Sequence, residues 1–328
     1  MLKGRCTGRA IPGSEMHFHE IAPGSVCPLD MRLVSIAVVA ALAAPAYAAP
    51  STEEAWLDGL TERVIDDLAA GKPLVVEVHV PLCDSSIIAC GNRKLGDGNN
   101  PETNLYWSTT PGFGSWFARR GSGWTRVLKQ TEADSGDPDV LAVHVYRRRV
   151  AAPAAWKKRG VPAKFEIDLV IHGWRGTAID RALAAYAADV SGQGTRTLTL
   201  TDGTALVAGG AAQIVAWVGH NRLMDIDTYK WPEPGATTKG TIAIACHTAD
   251  YMEEKVPAAT RVPLLMTRDF LFANAAPLEA TVLAFAAGGD YAKLRLDAAT
   301  AYAGVRQREV KHVFGAFTNP ADRRWKKR

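Results

Sequence analysis

The chain is predicted to fold as an α/β three-layer sandwich around a mostly parallel sheet. Four apolar runs carry that expectation: Phe165 to Ile171, Ile214 to Val218, Thr241 to Ala245 and Val262 to Thr267. They are near-continuous in apolar residues, where a strand with one wet face would alternate throughout. Such runs mark strands buried on both faces, in parallel sheets covered by helices. Between and after them the apolar residues shift to helical spacing, as in Thr177 to Val190, Leu278 to Ala287 and Leu294 to Gln307. Hydrophobic residues make up 47% of the chain, enough for a packed core on each side of the sheet.

In chain order, residues 1–30 show no periodic apolar pattern and are expected to be an extension upstream of the true start at Met31. Arg32, the apolar run Leu33 to Ala44 and the triplet Ala46-Tyr47-Ala48 form the three parts of a signal peptide, residues 31–48, cut after Ala48. That run is shorter than the about 20 residues a membrane span needs. The protein is therefore expected to be periplasmic or secreted, with no stable membrane anchor. Glu53 to Ala70 places Trp56, Leu57, Leu60, Val64, Ile65 and Leu68 on one helical face and stops at Gly71. Leu74 to Val80 follows as a strand, then a polar loop from 82 to 106. Its oxygen-rich stretch from Asp97 to Glu102 lacks the spacing of a calcium-binding loop, and neither a metal nor another cofactor is expected. Phe113 to Arg119 is expected as a short helix, and Thr125 to Lys129 and Val140 to Arg147 as strands. Ala151 to Val161, with Pro153 inside and Pro162 just after, is expected to be a linker. Residues 49–163 would then supply a helix and strands extending the sheet, and residues 164–328 the α/β core. Thr177 is expected to cap the next helix, with Asp180 as its capping-box partner.

The net charge of +4 is small, and the short basic clusters lack interleaved aromatics. They suit a solvated surface, so no nucleic-acid partner is expected. Cys6 and Cys27 fall in the extension. Cys83 and Cys90 bracket a short loop and are expected to pair in an oxidising compartment. Cys246 remains as the odd thiol.

Functional groups in a parallel sheet gather beyond the carboxyl ends of its strands. Here the runs end in His172, His220 and Cys246. Neighbouring strand tips lie about 4.8 Å apart, so His220 and Cys246 are candidates for a base and nucleophile pair. The segments IVAWVGHN at 214–221 and TIAIACHT at 241–248 resemble the two strand ends of the caspase-like cysteine peptidases. That resemblance implies His220 as the dyad histidine and Cys246 as the nucleophile of a cysteine-dependent peptidase or amidase acting on a peptide or protein. The unit LVIHGWRGTAIDRALAAY at 169–186 would match the family's opening strand and helix, and Arg175 its substrate-binding arginine. Two departures stand out: Gly219 precedes the histidine where the family has glycine after it, and the interval from His220 to Cys246 is short. The stretch from Gly219 to Asp225 is also similar to a group of uncharacterised exported bacterial proteins. LVIHGWRG and WVGHN further resemble α/β-hydrolase segments, but Asn221 stands at the nucleophile position and Leu223 where glycine is needed, which excludes that chemistry. The competing expectation is a non-catalytic cell-envelope binding protein using the same crevice, with Trp217, Tyr229 and Trp231 in the core or lining a groove.

Overall fold

A computed structural model describes residues 52–252 and 260–319, all within the unit that runs from Ala49 to Arg328. The expected extension and signal peptide lie outside the described residues. Among the described residues, no helix is long and apolar enough to cross a membrane.

The strands are β1 Leu74–Pro81, β2 Thr125–Thr131, β3 Val140–Ala151, β4 Lys164–Trp174, β5 Arg196–Thr199, β6 Ala205–Ala208, β7 Ile214–Val218, β8 Lys239–Ile244, β9 Arg261–Thr267 and β10 Phe317–Thr318. Eight of them form one mixed sheet in the order β10-β9-β8-β7-β1-β4-β3-β2, while β5 and β6 pair as a separate hairpin. β4, β1, β7, β8 and β9 run parallel, and β3, β2 and β10 complete the edges antiparallel. From β1 the chain steps outward to β4 on one side and to β7, β8 and β9 on the other. The direction of winding therefore reverses between β1 and β7, and the carboxyl ends of those two strands are where sheets of this kind place a ligand crevice.

Both faces of the sheet are covered, which is why its strands read as continuous apolar runs. Helices Thr52–Ala69, Ala275–Ala286 and Tyr291–Arg306 bury Leu60, Val64, Leu278 and Leu294 against Val76, Val78, Ile171 and Leu264. Helix Ile179–Val190 and the β5–β6 hairpin bury Ile179, Leu183 and Leu206 against Val75, Val170, Val215 and Ala243. The expected α/β three-layer sandwich is the observed architecture.

Several local expectations are corrected. The segment 49–163 does add edge strands β2 and β3, but it also supplies β1, the central strand of the sheet. Ala151 to Val161 is not an open linker. Pro153 starts a single helical turn, and Trp156 is buried against Phe165 and Phe285. The two prolines mark a tight connection between antiparallel neighbours. His172 does not follow its strand but lies inside it, because pairing with β3 carries β4 on to Trp174. Thr177 and Asp180 form no capping box. A 3-10 turn precedes the helix, its N-cap is Ala178 without a side-chain bond, and the Asp180 carboxylate is taken by Arg222.

The loop from 82 to 106 has no strand or α-helix of its own and is organised by one buried amide. Asn104 Oδ1 accepts from the backbone N–H of Cys83 and of Tyr106, both at 3.1 Å, and its Nδ2 donates to the carbonyls of Cys83 at 2.8 Å and Asp97 at 3.1 Å. The Cys83–Cys90 disulfide closes the same loop. Each bond replaces one to water, so their worth shows mainly when the partners are left buried and unpaired. Asn104→Ala is expected to lower unfolding stability by about 2–3 kcal/mol and to open the loop to protease. Chemical denaturation with limited proteolysis checks this, and an unchanged midpoint would contradict the role given to Asn104.

Candidate active site

β7 and β8 pair in register, with Val218 opposite Ile244. Gly219 N–H continues the ladder by donating to the Ile244 carbonyl at 3.3 Å. The backbones of His220 and Cys246 therefore follow the adjacent strands β7 and β8. The turn that leads into His220 needs glycine at 219, whose φ is 142° and whose added Cβ would sit 3.3 Å from the Pro81 carbonyl oxygen. Asn221, fully buried, binds the two tips together: its Nδ2 donates to the Cys246 carbonyl at 2.8 Å, and its Oδ1 accepts from Leu223 N–H at 3.2 Å.

The two reactive side chains have separate partners. His220 Nε2 lies 2.6 Å from Asp225 Oδ2. That carboxylate is also held by Arg222 at 3.3 Å, and Arg222 in turn grips Asp180 with two bonds, at 2.6 and 3.1 Å. A carboxylate only accepts, so Nε2 carries the hydrogen of this contact. Trp217 Nε1 donates to the His220 carbonyl at 3.1 Å, which fixes the backbone beneath the ring. Cys246 is the free cysteine of the described residues and is half-buried. Its sulfur lies 3.4 Å from Leu271 N and 3.8 Å from Leu271 O. Burial first, and Cys246 nearby second, push the Tyr106 hydroxyl above its usual range. Among the described residues no hydrogen bond joins the His220 ring to the Cys246 sulfur.

The remaining candidates fall elsewhere. Arg175 donates to the Pro138 carbonyl at 2.9 Å, to Asn99 Oδ1 at 2.5 Å and to Glu132 at 3.1 Å, so it clamps loops around the end of β4. His247 turns into the left-handed region at φ 51° and meets Asp250 and Phe270. Cys83 and Cys90 are joined, as expected. Trp217 is fully buried, and Tyr229 and Trp231 pack against the same core as Tyr186.

Sequence reasoning missed a charged network beneath the crevice. Glu77, His79 and Asp189 are fully buried and His172 is nearly so. Glu77 Oε1 takes His172 Nε2 at 2.7 Å and Arg196 Nη1 at 2.6 Å, and its Oε2 takes Gly209 N–H at 3.0 Å. Arg196 Nη2 reaches Asp189 at 2.9 Å, and His79 Nε2 meets the same carboxylate at 3.0 Å. Trp174 Nε1 donates to His79 Nδ1 at 3.2 Å. An indole N–H can only donate, so His79 is the neutral tautomer with its hydrogen on Nε2. Glu77, His79 and Asp189 lie close enough to share a metal ion, with ligand atoms within 4.8 Å of one another. Both nitrogens of His79 are already engaged, however, and the Arg196 guanidinium supplies the positive charge between the carboxylates. The signal available in the sequence was LVVEVHV, two polar residues at alternate positions in an apolar strand, both on one face.

The chain matches no protein-family model, no curated protein and no solved structure.

The network makes stability pH-dependent in a definite sense. Burial would raise the Glu77 carboxyl, but His172 and Arg196 outweigh it and hold the group well below its usual range. Burial lowers His79 against the pull of Asp189. Both folded values are depressed, so both contributions are complete above the unfolded values of about 6.5 for His and about 4.3 for Glu. They are lost as the pH falls below those values toward the folded ones. Thermal stability is therefore expected to fall from about pH 6.5 downward, and Glu77→Gln to cost about 3 kcal/mol near pH 7, with the difference shrinking below about pH 4. A melting profile against pH checks it. A constant difference between wild type and variant across that range would contradict it.

Proposed function

We propose that the protein is a cysteine-dependent peptidase or amidase of the caspase-like kind that its strand ends resemble, working outside the cytoplasm, with Cys246 as nucleophile and His220 as base. The observation that carries this reading is the in-register adjacency of the two tips beside the crevice, bound together through Asn221. Asp225 adds the orienting group that a catalytic histidine needs, and it leaves Nδ1 as the proton acceptor. Nδ1 takes the thiol proton, and the thiolate attacks the carbonyl carbon of an amide. The imidazolium then gives that proton to the departing amine, leaving a thioester on Cys246. Water, deprotonated by the same nitrogen, hydrolyses the thioester and restores the thiol. On this reading the His220 ring and the Cys246 sulfur approach each other only on a bound substrate, as catalytic hydrogen bonds often tighten only there.

A non-catalytic envelope binding protein is the second reading. The separate partners of His220 and Cys246 favour it.

Thiol chemistry separates the two. Iodoacetamide near pH 7 should alkylate Cys246 at least about tenfold faster in the wild type than in His220→Ala, as read by peptide mass spectrometry. Asp225→Asn, which removes the orienting charge, should slow hydrolysis of a fluorogenic peptide amide by about 10²–10⁴-fold. Cys246→Ala should abolish hydrolysis with the melting temperature retained. Equal alkylation rates with and without His220 would overturn the catalytic reading and leave the binding protein.

A further inference from the structure

A cleft of about 920 Å³ opens on the side of the sheet that carries the long helices, between Ala275–Ala286, Tyr291–Arg306 and the loop from 110 to 122. Its size falls in the range of small-ligand sites, roughly 300–1,000 Å³. Neither His220 nor Cys246 lines it. Small residues, Ala276, Ala280, Ala301 and Gly304, leave room along the helices, and Trp116 and Phe272 supply planar apolar walls.

The charge in this cleft is unbalanced. Arg119, Arg148 and Arg306 line it, and Glu279 is the single carboxylate among its lining residues. That carboxylate is fully subscribed. Trp116 Nε1 donates to Oε2 at 2.6 Å and Trp124 Nε1 to Oε1 at 2.7 Å, while Arg119 and Arg148 each approach at 3.3 Å. Four donors occupy all the lone-pair positions a carboxylate offers. One negative charge therefore serves two guanidinium groups. The third, Arg306, lies 5.3 Å from the centre of the Phe272 ring, and among the described residues it has no carboxylate partner. Arg119 stacks on Trp116 at 3.4 Å, so it presents a flat cationic edge rather than a mobile one.

We infer that this cleft binds a small organic anion, with an acidic head held by Arg306 and the Arg119–Arg148 pair and an apolar, preferably aromatic, body against Trp116, Phe272 and the small helix residues. The glutamate keeps the two inner arginines in place without cancelling them. The apolar lining accounts for a ligand larger than a bare inorganic ion.

The test uses the folded protein and two fluorescent probes with the same rings, anilinonaphthalene sulfonate and its neutral counterpart phenylnaphthylamine. The sulfonate should bind at least about tenfold tighter than the neutral probe, and Arg306→Gln should remove about tenfold of its affinity. Gly304→Leu is the second variant. A Cβ at 304 meets nothing within 4 Å, so the new side chain enters open space, and leucine favours a helix over glycine. It should weaken the sulfonate by about tenfold or more while the melting temperature holds or rises. Equal affinity for the two probes, or sulfonate binding unchanged in both variants, would overturn the inference.

Discussion

The guanidinium of Arg196 is the contact on which the geometry of the crevice depends. Glu77 on β1 and Asp189 on the helix Ile179–Val190 are both fully buried, and they bring two carboxylates into one dry layer. Two such groups repel and neither faces solvent, so their joint ionisation requires a cation held between them. Arg196 reaches both from the first strand of the β5–β6 hairpin. One side chain thereby fixes the helix, the hairpin and the central strand to one another. Removing only the arginine would leave uncompensated buried charge, which is far more damaging than replacing the whole set by apolar residues.

That layer lies directly beneath the candidate site. His79 pairs in register with His172 on one side and Trp217 on the other. Trp217 then carries the link upward by holding the His220 carbonyl, and Asn221 carries it sideways to Cys246. The tips are thus positioned by backbone pairing, one indole and one amide, all of them buried. The side chains above are tuned separately: Asp225 sets the tautomer of His220, and the Leu271 backbone holds the sulfur.

Legibility in the sequence depends on where the information resides. The runs that became β4, β7, β8 and β9 were legible because burial on both faces leaves mostly apolar residues, and the helices because one stripe faces the sheet. The importance of β1 was not legible. Glu77 and His79 are answered by residues far along the chain, and no local pattern announces Asp189 or Arg196 as their partners. The packed turn around Trp156 likewise depends on Phe285, far along the chain. Within the site, the positions of His220 and Cys246 could be anticipated because reactive residues at strand ends collect at one edge of a parallel sheet. Their partners could not: Leu271 acts through its backbone, whatever its side chain, and Asp225 meets His220 across a 3-10 turn. Arg175, chosen for its place after a strand, proved to be bound to loop carbonyls and acids that sequence proximity does not reveal.

On the catalytic reading, ring and sulfur, now held by separate partners on adjacent tips, come together on an amide substrate. The most direct measurement is a crystal structure of the protein after reaction with a peptidyl chloromethyl ketone, which traps a thiol nucleophile as a thioether. The expected result is a covalent bond to the Cys246 sulfur, with His220 Nδ1 turned toward the trapped group at about 3–4 Å and Nε2 still on Asp225. A protein left unmodified at Cys246, or an adduct with the His220 ring more than roughly 8 Å away, would contradict it.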